Sequence, residues 1–454
     1  MSYDLIVLGG GPGGYLAAER AAQSGLKTVC IEARAFGGVC LNEGCIPSKT
    51  LLNSAKIYEY ALNGAKYGVT TAGVTIDQKT VVERKNKVVT TLVSGVKSTL
   101  RTHKVKMVEG FCEIIGRDKD GFTVSVAGEM FKSTNLIIAT GSSPAIPPIP
   151  GVKEGIASGF VLTNREILDL ETIPQSLVVI GGGVIGLEMA AYYNSVGSKV
   201  TVIEMLDHIA GPTDREVSTM LQKVYEKKGV TFKLNSKVTA IGTSSVSYEE
   251  NGKTETVQAD KVLLSIGRRP VISGFGLERL GVLTEKGAIK TDRTCLTSIP
   301  NVYAVGDVNG VSMLAHTAYR EAEVAVNSII GKRDIMRYNA IPSVIYTNPE
   351  MAGVGETEES AKAKGISYVV GKVSMLYSGR FLAENEGGNG ICKILAEKDS
   401  GRIIGAHMLG AYVSEFIIAA GMMVETEMTL SDAKEIVFPH PTVSEILREA
   451  IFAI

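Results

Sequence analysis

The sequence predicts an α/β fold with two similar domains built on parallel sheets, followed by a third domain of α+β type. Two glycine-rich turns, at residues 9–14 and 181–186, each follow a short apolar strand and open a helical pattern. From about residue 340 the pattern changes to short strands and turns, with Asp399-Ser400-Gly401 typical of a hairpin. A chain of 454 residues has room for about three domains, each with its own hydrophobic core.

The first glycine turn lies in the complete setting of a dinucleotide-binding motif. Strand 5–8 leads into the turn 9–14, a helical pattern follows at 16–22, and the next strand, 28–31, ends on Glu32. Glycines at such a turn let the backbone approach a pyrophosphate at the positive end of the helix, and the acid accepts hydrogen bonds from a ribose. The sequence therefore predicts a Rossmann-like domain whose ligand-binding residues include Gly9, Gly11, Gly14 and Glu32.

The same unit recurs in the middle of the chain. Strand 177–180 precedes the turn that holds Gly181, Gly183 and Gly186, and strand 200–203 ends on Glu204, at the same interval as in the first copy. A lone glycine turn is weak evidence because it can occur without a ligand. Two complete copies predict two bound dinucleotides, one for each copy.

Each predicted dinucleotide domain also ends in a strand followed by glycine. These exits are Ala139-Thr140-Gly141 and Gly267, and a proline-rich link at 144–150 indicates a domain boundary between the copies. A long amphipathic helix is expected over 81–100. Farther on, Asp307 follows an apolar strand at its carboxyl end, where open α/β sheets bind ligands. It could hold a polyol hydroxyl or cap the helix expected from 318 to 330, and the sequence leaves both open.

Two cysteines, Cys40 and Cys45, lie in the glycine-flanked stretch 37–49. On a helix their spacing would place the two sulfurs about one turn apart, close enough to bond. A bridge that closes so small a loop adds little stability, whereas a thiolate near a helix start is favoured by the helix dipole. The pair is therefore predicted to be redox-active, the alternative being two unrelated buried thiols. Six cysteines in a chain of this length fit a reducing compartment better than a disulfide scaffold.

A histidine near the end of the chain, His440, stands between two prolines in an extended loop. It can serve as a general base whose ring is oriented by Glu445. The alternative role of Glu445 is structural, because Thr442 and Glu445 have the spacing of a capping box for the final helix.

Composition excludes several classes of function. The net charge is −1, which indicates neither a nucleic-acid-binding surface nor an acidic tail. There is no apolar run of eighteen residues, so no transmembrane helix is expected. The chain enters an apolar strand directly after Met1-Ser2-Tyr3-Asp4, which leaves no room for a signal peptide and predicts a cytoplasmic protein.

Over its whole length the sequence resembles the flavoprotein disulfide reductases. Besides the two glycine turns, the resemblance rests on long motifs. These are GGVCLNEGCIPSK at 37–49, ATG at 139–141, VGD at 305–307 with MLAH at 313–316, YTNPEMAGVGETEE at 346–359, and HPTVSE at 440–445. The Ile-Pro-Ser-Lys that follows Cys45 resembles the lipoamide branch of this family.

The resemblance implies FAD at the first glycine turn and a nicotinamide dinucleotide at the second. Glu204 favours NAD, because a carboxylate accepts a ribose 2′-hydroxyl and repels a 2′-phosphate. A homodimer is also implied, with active sites at the subunit interface, where His440 of one subunit completes the site of the other. The implied catalytic residues are Cys40, Cys45, Lys49, Glu188, His440 and Glu445, with Lys49 and Glu188 paired beside the flavin.

The cofactor-binding residues carried over from the family span both glycine turns and the loops near them. They are Gly9, Gly11, Gly14, Glu32, Ala33, Gly38, Val39, Cys40, Lys49, Gly110, Ala139, Thr140, Gly141, Gly306, Asp307, Met313, Leu314, Ala315, His316, Gly181, Gly183, Val184, Ile185, Gly186, Glu188, Glu204, Val238 and Gly267. The implied domains are an FAD-binding domain at 1–147 and 271–339, an NAD-binding domain at 148–270, and a dimerisation domain at 340–454.

The implied activity is oxidation of protein-bound dihydrolipoamide to lipoamide with reduction of NAD. The partners would be lipoyl domains of 2-oxo acid dehydrogenase complexes, or of glycine cleavage, and the core acyltransferase. Alternatives are another disulfide or metal-ion reductase, an NADH oxidase, and a non-catalytic subunit docked in an assembly. The sequence departs from the family pattern at Val39, which replaces a threonine, and at Glu43, which replaces an apolar residue and could raise the pKa of the thiols.

Overall fold

The computed structural model describes residues 2–454, which form two compact units. The first contains the residues up to Thr50 together with Val82–Ala145 and Gly267–Arg337. The second contains Leu51–Val81, Ile146–Ile266 and Tyr338–Ile454. The four-part domain division expected from the sequence stays a prediction.

A seven-stranded sheet forms the centre of the first unit. Its strands are β1 Ser2–Leu8, β2 Thr28–Glu32, β3 Lys106–Glu109, β4 Cys112–Asp118, β5 Gly121–Val126, β6 Glu129–Ile138 and β19 Val302–Ala304. The order is β3-β2-β1-β6-β5-β4, with β19 also paired to β6, and β4, β5 and β6 are the antiparallel part. The last four residues of β1 are all buried, as expected for a parallel strand covered on both faces.

Helices and short strands complete the first unit. They include α1 Pro12–Gln23, α2 Gly38–Glu43, the start of α3 Cys45–Leu62, most of α4 Gln78–Thr102, α8 Ala315–Ile329, and the short strands β7 Ser142–Pro144, β16 Arg268–Pro270, β17 Thr284–Glu285 and β18 Ala288–Ile289. Helix α4 confirms the long helix expected over 81–100. Helix α1 begins with a proline, whose fixed φ suits the first turn, and it buries an alanine face made of Ala17, Ala18 and Ala21.

The second unit contains a five-stranded parallel sheet. Its strands are β8 Val161–Leu162, β9 Ser176–Ile180, β10 Lys199–Ile203, β11 Thr231–Lys233 and β15 Lys261–Leu264, in the order β11-β10-β9-β15-β8. The accompanying elements are α5 Val152–Ala157, α6 Val184–Ser195, α7 Arg215–Lys227 and the antiparallel strands β12 Ser236–Ile241, β13 Ser245–Glu250 and β14 Lys253–Gln258. This is the second βαβ unit that the sequence predicted.

An antiparallel sheet and the last helices form the rest of the second unit. The strands are β20 Ser343–Ile345, β21 Glu350–Gly355, β22 Tyr368–Ser374, β23 Ile391–Glu397 and β24 Ile403–Gly410, and the helices are α9 Glu358–Ala363, α10 Gly379–Glu384, α11 Val413–Glu425, α12 Leu430–Lys434 and α13 Ile446–Phe452. The sheet order is β20-β21-β24-β23-β22. The α+β type is as expected, but three helices follow β24 where the sequence pattern indicated two.

Two charged clusters join elements of the second unit. The Nζ of Lys393 on β23, a side chain only 1% exposed, lies 2.8 Å from an Asp214 carboxylate oxygen and 2.6 Å from one of Glu358. Glu59 on α3 accepts hydrogen bonds from Ser195, Lys228 and Asn348. Long side chains far apart in sequence therefore hold α3, α7, α9 and β23 in place.

No helix in the part of the chain that the structure describes is long and apolar enough to cross a membrane.

Candidate active site

The first glycine turn brings three backbone segments into direct contact. Gly9 has φ of +107°, and a Cβ added there would lie 2.2 Å from the carbonyl oxygen of Ala139. A Cβ on Gly14 would lie 1.8 Å from the Gly9 carbonyl oxygen, and one on Gly38 would lie 2.5 Å from the Gly11 Cα. Any larger residue would push these segments apart. The turn, the start of α2 and the exit of β6 thus form a cradle in which backbone can approach a ligand closely.

The acid at the end of β2 holds this cradle together. One carboxylate oxygen of Glu32 accepts a hydrogen bond of 2.6 Å from the Gly10 N–H. The other accepts from the backbone N–H of Arg34 at 2.7 Å and of Ala35 at 3.2 Å. A carboxylate has about four lone-pair sites, so one remains for a ribose hydroxyl.

The second glycine turn repeats the arrangement inside the second unit. Gly181 has φ of +102°, and a Cβ on Gly186 would lie 2.1 Å from the Gly181 carbonyl oxygen. Glu204 accepts 2.6 Å from the Gly182 N–H and 2.8 Å from the Leu206 N–H. Both turns therefore fit a dinucleotide, each with a backbone-held carboxylate beside the glycines.

The other predicted cofactor residues divide between the two units. Those of the first unit lie in loops after strands or in helical turns. They are Ala33, Val39, Lys49, Gly110, Thr140, Gly141, Gly267, Gly306, Asp307, Met313, Leu314, Ala315 and His316. In the second, Val184, Ile185 and Glu188 lie on α6. Val238, on β12, has its side chain in the hydrophobic core, so only its backbone could face a ligand.

Asp307 does not cap α8. That helix begins at Ala315 and has Leu314 at its N-cap position. The Asp307 carboxylate instead accepts a hydrogen bond of 2.5 Å from the Ser142 hydroxyl and lies 3.9 Å from the Arg268 Nε. The capping alternative from the sequence is therefore wrong, and the carboxylate is held at the exits of β6 and β19, where a ligand hydroxyl could reach it.

The two cysteines lie on two different helices. Cys40 belongs to α2, Cys45 is the first residue of α3, and Gly44 separates them with φ of −150° and ψ of −112°. A Cβ on Gly44 would be 3.0 Å from the Val39 carbonyl oxygen, so glycine allows the chain to turn tightly here. The expectation of a single helix carrying both sulfurs is wrong. The predicted proximity is present all the same, because the two thiols are hydrogen-bonded to each other.

Ionisation of one thiol affects the pKa of the other. Both are in the thiol form and partly buried. The hydrogen bond with Cys45 raises the pKa of Cys40 above its usual value, and burial and the charge of a Cys45 thiolate raise it further. The ammonium group of Lys49, one turn along α3, acts in the opposite direction. With Cys45 ionised, Cys40 therefore holds its proton more strongly than an isolated thiol would.

Glu43, the charged departure from the family pattern, is paired with an arginine side chain. Its carboxylate forms an ion pair with the guanidinium group of Arg34, whose two terminal nitrogens reach both carboxylate oxygens. The Glu43 side chain is 18% exposed and that of Arg34 is 56% exposed. The extra negative charge beside the dithiol is therefore accompanied by a positive one, which reduces its effect on the sulfurs.

Lys49 and Glu188 are both held in place, each in its own unit. The Lys49 Nζ lies 3.5 Å from the Ser48 hydroxyl. Glu188 is 3% exposed, and one of its carboxylate oxygens accepts a hydrogen bond of 3.1 Å from the Tyr346 N–H. The pairing of these two residues stays a prediction.

His440 and Glu445 form a hydrogen-bonded pair. The Nδ1 of His440 lies 2.8 Å from a Glu445 carboxylate oxygen; the histidine side chain is 76% exposed and the glutamate 12%. Because the carboxylate accepts a hydrogen bond from Nδ1, the ring proton is on Nδ1, and Nε2 is able to accept a second proton. Thr442 accepts from the Glu445 N–H at 3.2 Å, but the Glu445 side chain points to the histidine, so the capping box is not formed.

Sequence reasoning missed a pair of tyrosines that joins α1 to α8. The hydroxyl oxygens of Tyr15 on α1 and Tyr319 on α8 are 2.5 Å apart. Burial raises the pKa of both tyrosines, and the negative charges of Cys40 and Cys45 raise it further. The two positions are 304 residues apart, so no local pattern could have joined them. Among residues 2–454, no group of three or more His, Cys, Asp or Glu side chains is arranged to hold a metal ion.

Comparison with known proteins identifies the family. Residues 3–322 match the pyridine nucleotide-disulphide oxidoreductase family, and residues 341–451 match the dimerisation domain of the same family. The dihydrolipoyl dehydrogenases of Mycoplasma pneumoniae and Bacillus subtilis are each 40% identical to the chain, over 99% of it and 98% of theirs. The human mitochondrial dihydrolipoyl dehydrogenase is 39% identical over 99% of this chain and 90% of its own.

Solved structures agree with this fold. LpdA of Mycobacterium tuberculosis superimposes with a TM-score of 0.89 at 26% identity, over 99% of both chains. The HOCl-induced flavoprotein disulfide reductase RclA of Escherichia coli gives 0.87 at 25% identity, also over 99% of both chains. The predicted fold class and the resemblance to the lipoamide branch are thereby confirmed. The chain belongs to the pyridine nucleotide-disulphide oxidoreductase family.

Proposed function

We propose that the protein oxidises dihydrolipoamide to lipoamide and reduces NAD to NADH, as a cytoplasmic homodimer. The observation that carries this proposal is the hydrogen-bonded dithiol of Cys40 and Cys45 in the same unit as the first dinucleotide cradle. The substrate is inferred from relatives called dihydrolipoyl dehydrogenases, which are about 40% identical over nearly the whole chain.

The cofactors are FAD and NAD. The FAD-binding residues would be the glycines at 9–14, Glu32, Asp307 and the first turn of α8, which is the positive end of that helix. The turn at 181–186 and Glu204 would hold NAD. When bound, FAD takes the electron pair from the dithiol and NAD receives it as hydride.

The proposed base is the partner subunit's His440. Glu445 holds the Nδ1 proton, so Nε2 can remove a proton from a substrate thiol. The substrate thiolate then bonds to Cys40 and breaks the Cys40–Cys45 disulfide, which releases Cys45 as a thiolate. The second substrate thiol gives up its proton, closes the lipoamide ring and releases Cys40 as a thiolate. Cys40 takes up that proton, because its pKa is raised. Lys49 would stabilise the charge that remains on Cys45.

The dimerisation domain supports a homodimer. Its surface exposes large apolar side chains, among them Ile418 and Met422 on α11 and Val437, which is 92% exposed. A second copy covering such side chains would remove apolar area from water. The proposed physiological partners are lipoyl domains of 2-oxo acid dehydrogenase or glycine cleavage complexes and their core acyltransferase.

The reaction is tested by following the absorbance of the NADH that forms from dihydrolipoamide and NAD. NADP and reduced glutathione serve as control substrates. We expect turnover with dihydrolipoamide and NAD alone, and none after Cys45→Ser. An FAD-loaded dimer that turns over another disulfide or a metal ion, but not lipoamide, would contradict the proposed substrate.

Completion of the site by the partner is tested with mixed dimers. His440→Gln and Cys45→Ser homodimers should both be inactive. A mixed dimer has one subunit with an intact dithiol and one with an intact histidine. If the histidine of one subunit serves the dithiol of the other, one of the two active sites is complete. Recovery of activity on mixing is expected, and its absence in verified mixed dimers would place His440 at the dithiol of its own chain.

A further inference from the structure

The loop that joins β20 to β21 contacts Glu188 through its backbone. The Tyr346 N–H donates a hydrogen bond of 3.1 Å to one carboxylate oxygen of Glu188. Glu188 lies on α6, two residues after Gly186, the last glycine of the second turn, and its side chain is almost fully buried. A buried carboxylate is stabilised by each donor that reaches it, so the position of this loop affects the position of the acid.

A single phenol holds both backbone groups of Asn348, which lies in this loop. The Tyr225 hydroxyl, on α7, accepts a hydrogen bond of 3.0 Å from the Asn348 N–H. The same hydroxyl donates to the Asn348 carbonyl oxygen at 3.4 Å. The Tyr225 side chain is buried, and a phenol can accept and donate at once. The backbone of Asn348 is therefore fixed relative to α7.

Three further side chains join this network. Glu59 on α3 accepts a hydrogen bond of 2.7 Å from the Asn348 side-chain amide, and Lys228, at the end of α7, donates to the Asn348 carbonyl oxygen at 3.0 Å. The Lys228 ammonium also lies 3.0 Å from Glu59, to which Ser195 donates at 2.6 Å from the end of α6. Helix α6 thus meets the loop directly at Glu188 and, at its other end, through Ser195 and Glu59. All of these residues belong to the second unit.

We propose that Tyr225, together with Glu59 and Lys228, fixes the loop 346–348 and through it positions the Glu188 carboxylate beside bound NAD. This inference deepens the proposed function and rests on it for the binding of NAD at the glycine turn that opens α6. The three are positioning residues, which act through Glu188. A shift of the loop would move the Tyr346 N–H away from the acid and leave the carboxylate less well placed.

The test is a double-mutant cycle in the FAD-loaded protein. Tyr225→Phe removes the hydroxyl and keeps the ring, Glu188→Gln removes the charge of the acid, and the double variant combines the two changes. The matched control is Tyr193→Phe, which removes another buried hydroxyl of the second unit, one that donates to the Ile167 carbonyl oxygen at 2.7 Å. The dissociation constant of NAD is measured by titration calorimetry, and the reduction of bound FAD by NADH is followed by absorbance.

The expected result is weaker NAD binding when the acid is displaced. The nicotinamide ring of NAD carries a positive charge, so a carboxylate beside it favours binding. Tyr225→Phe should raise the dissociation constant about fivefold, the equivalent of about one hydrogen bond, and should slow the reduction of FAD. Glu188→Gln should show both losses, and the double variant should lose no more than Glu188→Gln, because the hydroxyl acts through the acid. Tyr193→Phe should change neither quantity.

Three results would overturn the proposal. The first is unchanged NAD binding and FAD reduction in Tyr225→Phe. The second is a loss in Tyr225→Phe that adds in full to that of Glu188→Gln, or that occurs where Glu188→Gln has none, since the hydroxyl would then act without the acid. The third is an equal loss in Tyr193→Phe. If Tyr225→Phe fails to fold or to retain FAD, Lys228→Met takes its place in the cycle, because that side chain is partly exposed.

Neither measurement uses lipoamide, so the two proposals can fail separately. A wild-type enzyme that is reduced by NADH but inactive on dihydrolipoamide would overturn the proposed substrate and leave the cycle measurable. Additive losses in an enzyme with normal lipoamide turnover would overturn the role of the loop alone.

Discussion

Replacement of Glu445 by glutamine tests whether the histidine pair works as a base. Glu445 lies 2.8 Å from His440 Nδ1 and is largely buried, so it fixes the ring and stabilises the positive charge that forms when Nε2 takes a proton. Glutamine keeps the size and one acceptor oxygen but loses the charge. The variant therefore isolates the electrostatic part of the interaction.

The size of the effect follows from the exposure of the pair. A hydrogen bond to a charged group contributes about 1.5–3 kcal/mol. The His440 side chain is 76% exposed in the single chain, which places the value near the lower end. A loss of about 1.4 kcal/mol in the transition state slows the reaction about tenfold. His440→Gln removes the base altogether and should cost on the order of 10² or more.

The assay is the steady-state rate of NADH formation from dihydrolipoamide, at matched FAD content. The control is Glu449→Gln, which changes a partly exposed acid on the same helix, α13, and should leave the rate unchanged. Equal losses in Glu445→Gln and His440→Gln would refute the reasoning, because glutamate would then be as important as the base itself. Full activity in His440→Gln would remove the histidine from catalysis.

Three further substitutions test the structure around the site. Lys393→Met should lower the stability of the second unit by about 3–5 kcal/mol, because it removes the cation that faces the buried Asp214 carboxylate. A second change, Asp214→Asn, should restore part of the loss in the denaturation midpoint. Burial alone would raise the pKa of Glu59, but the nearby lysine and three hydrogen bonds lower it below the unfolded value, so its contribution is present above about pH 4.3 and lost as the pH falls. Glu59→Gln should accordingly lower the melting temperature more at pH 7 than at about pH 4, and equal losses would contradict this. Gly38→Ala should reduce the amount of bound FAD, measured as flavin absorbance per protein. The control Gly25→Ala should retain more FAD, because a Cβ there meets nothing within 4 Å. Equal FAD content in the two variants would argue against the backbone contact at the cradle.

Local sequence patterns were sufficient for the two cradles and the dithiol segment. A buried strand, a glycine turn and a helix are adjacent in the chain, so hydrophobic periodicity and the steric needs of glycine define them together. Glu32 and Glu204 follow at a constant interval for the same reason. The pair of His440 and Glu445 was also within reach, since five residues separate the two.

Several local alternatives were decided only by the fold. Asp307 and Glu445 each had the spacing or setting of a helix cap. In the structure Asp307 is hydrogen-bonded to Ser142 and Glu445 to His440 instead. The break between Cys40 and Cys45 depends on the backbone angles of Gly44, which a helical pattern through the segment did not reveal. Such competition between two nearby partners is settled by packing.

By itself, the sequence determined the fold class and the family, and it predicted the two dinucleotide sites and the redox-active dithiol, because each depends on residues that are close together in the chain. Only the tertiary structure decided which distant side chains meet. Tyr15 meets Tyr319, and Lys393 meets Asp214 across 179 positions. These contacts arise from the crossing of helices and strands that the hydrophobic core brings together, and a single sequence carries no local signal for them.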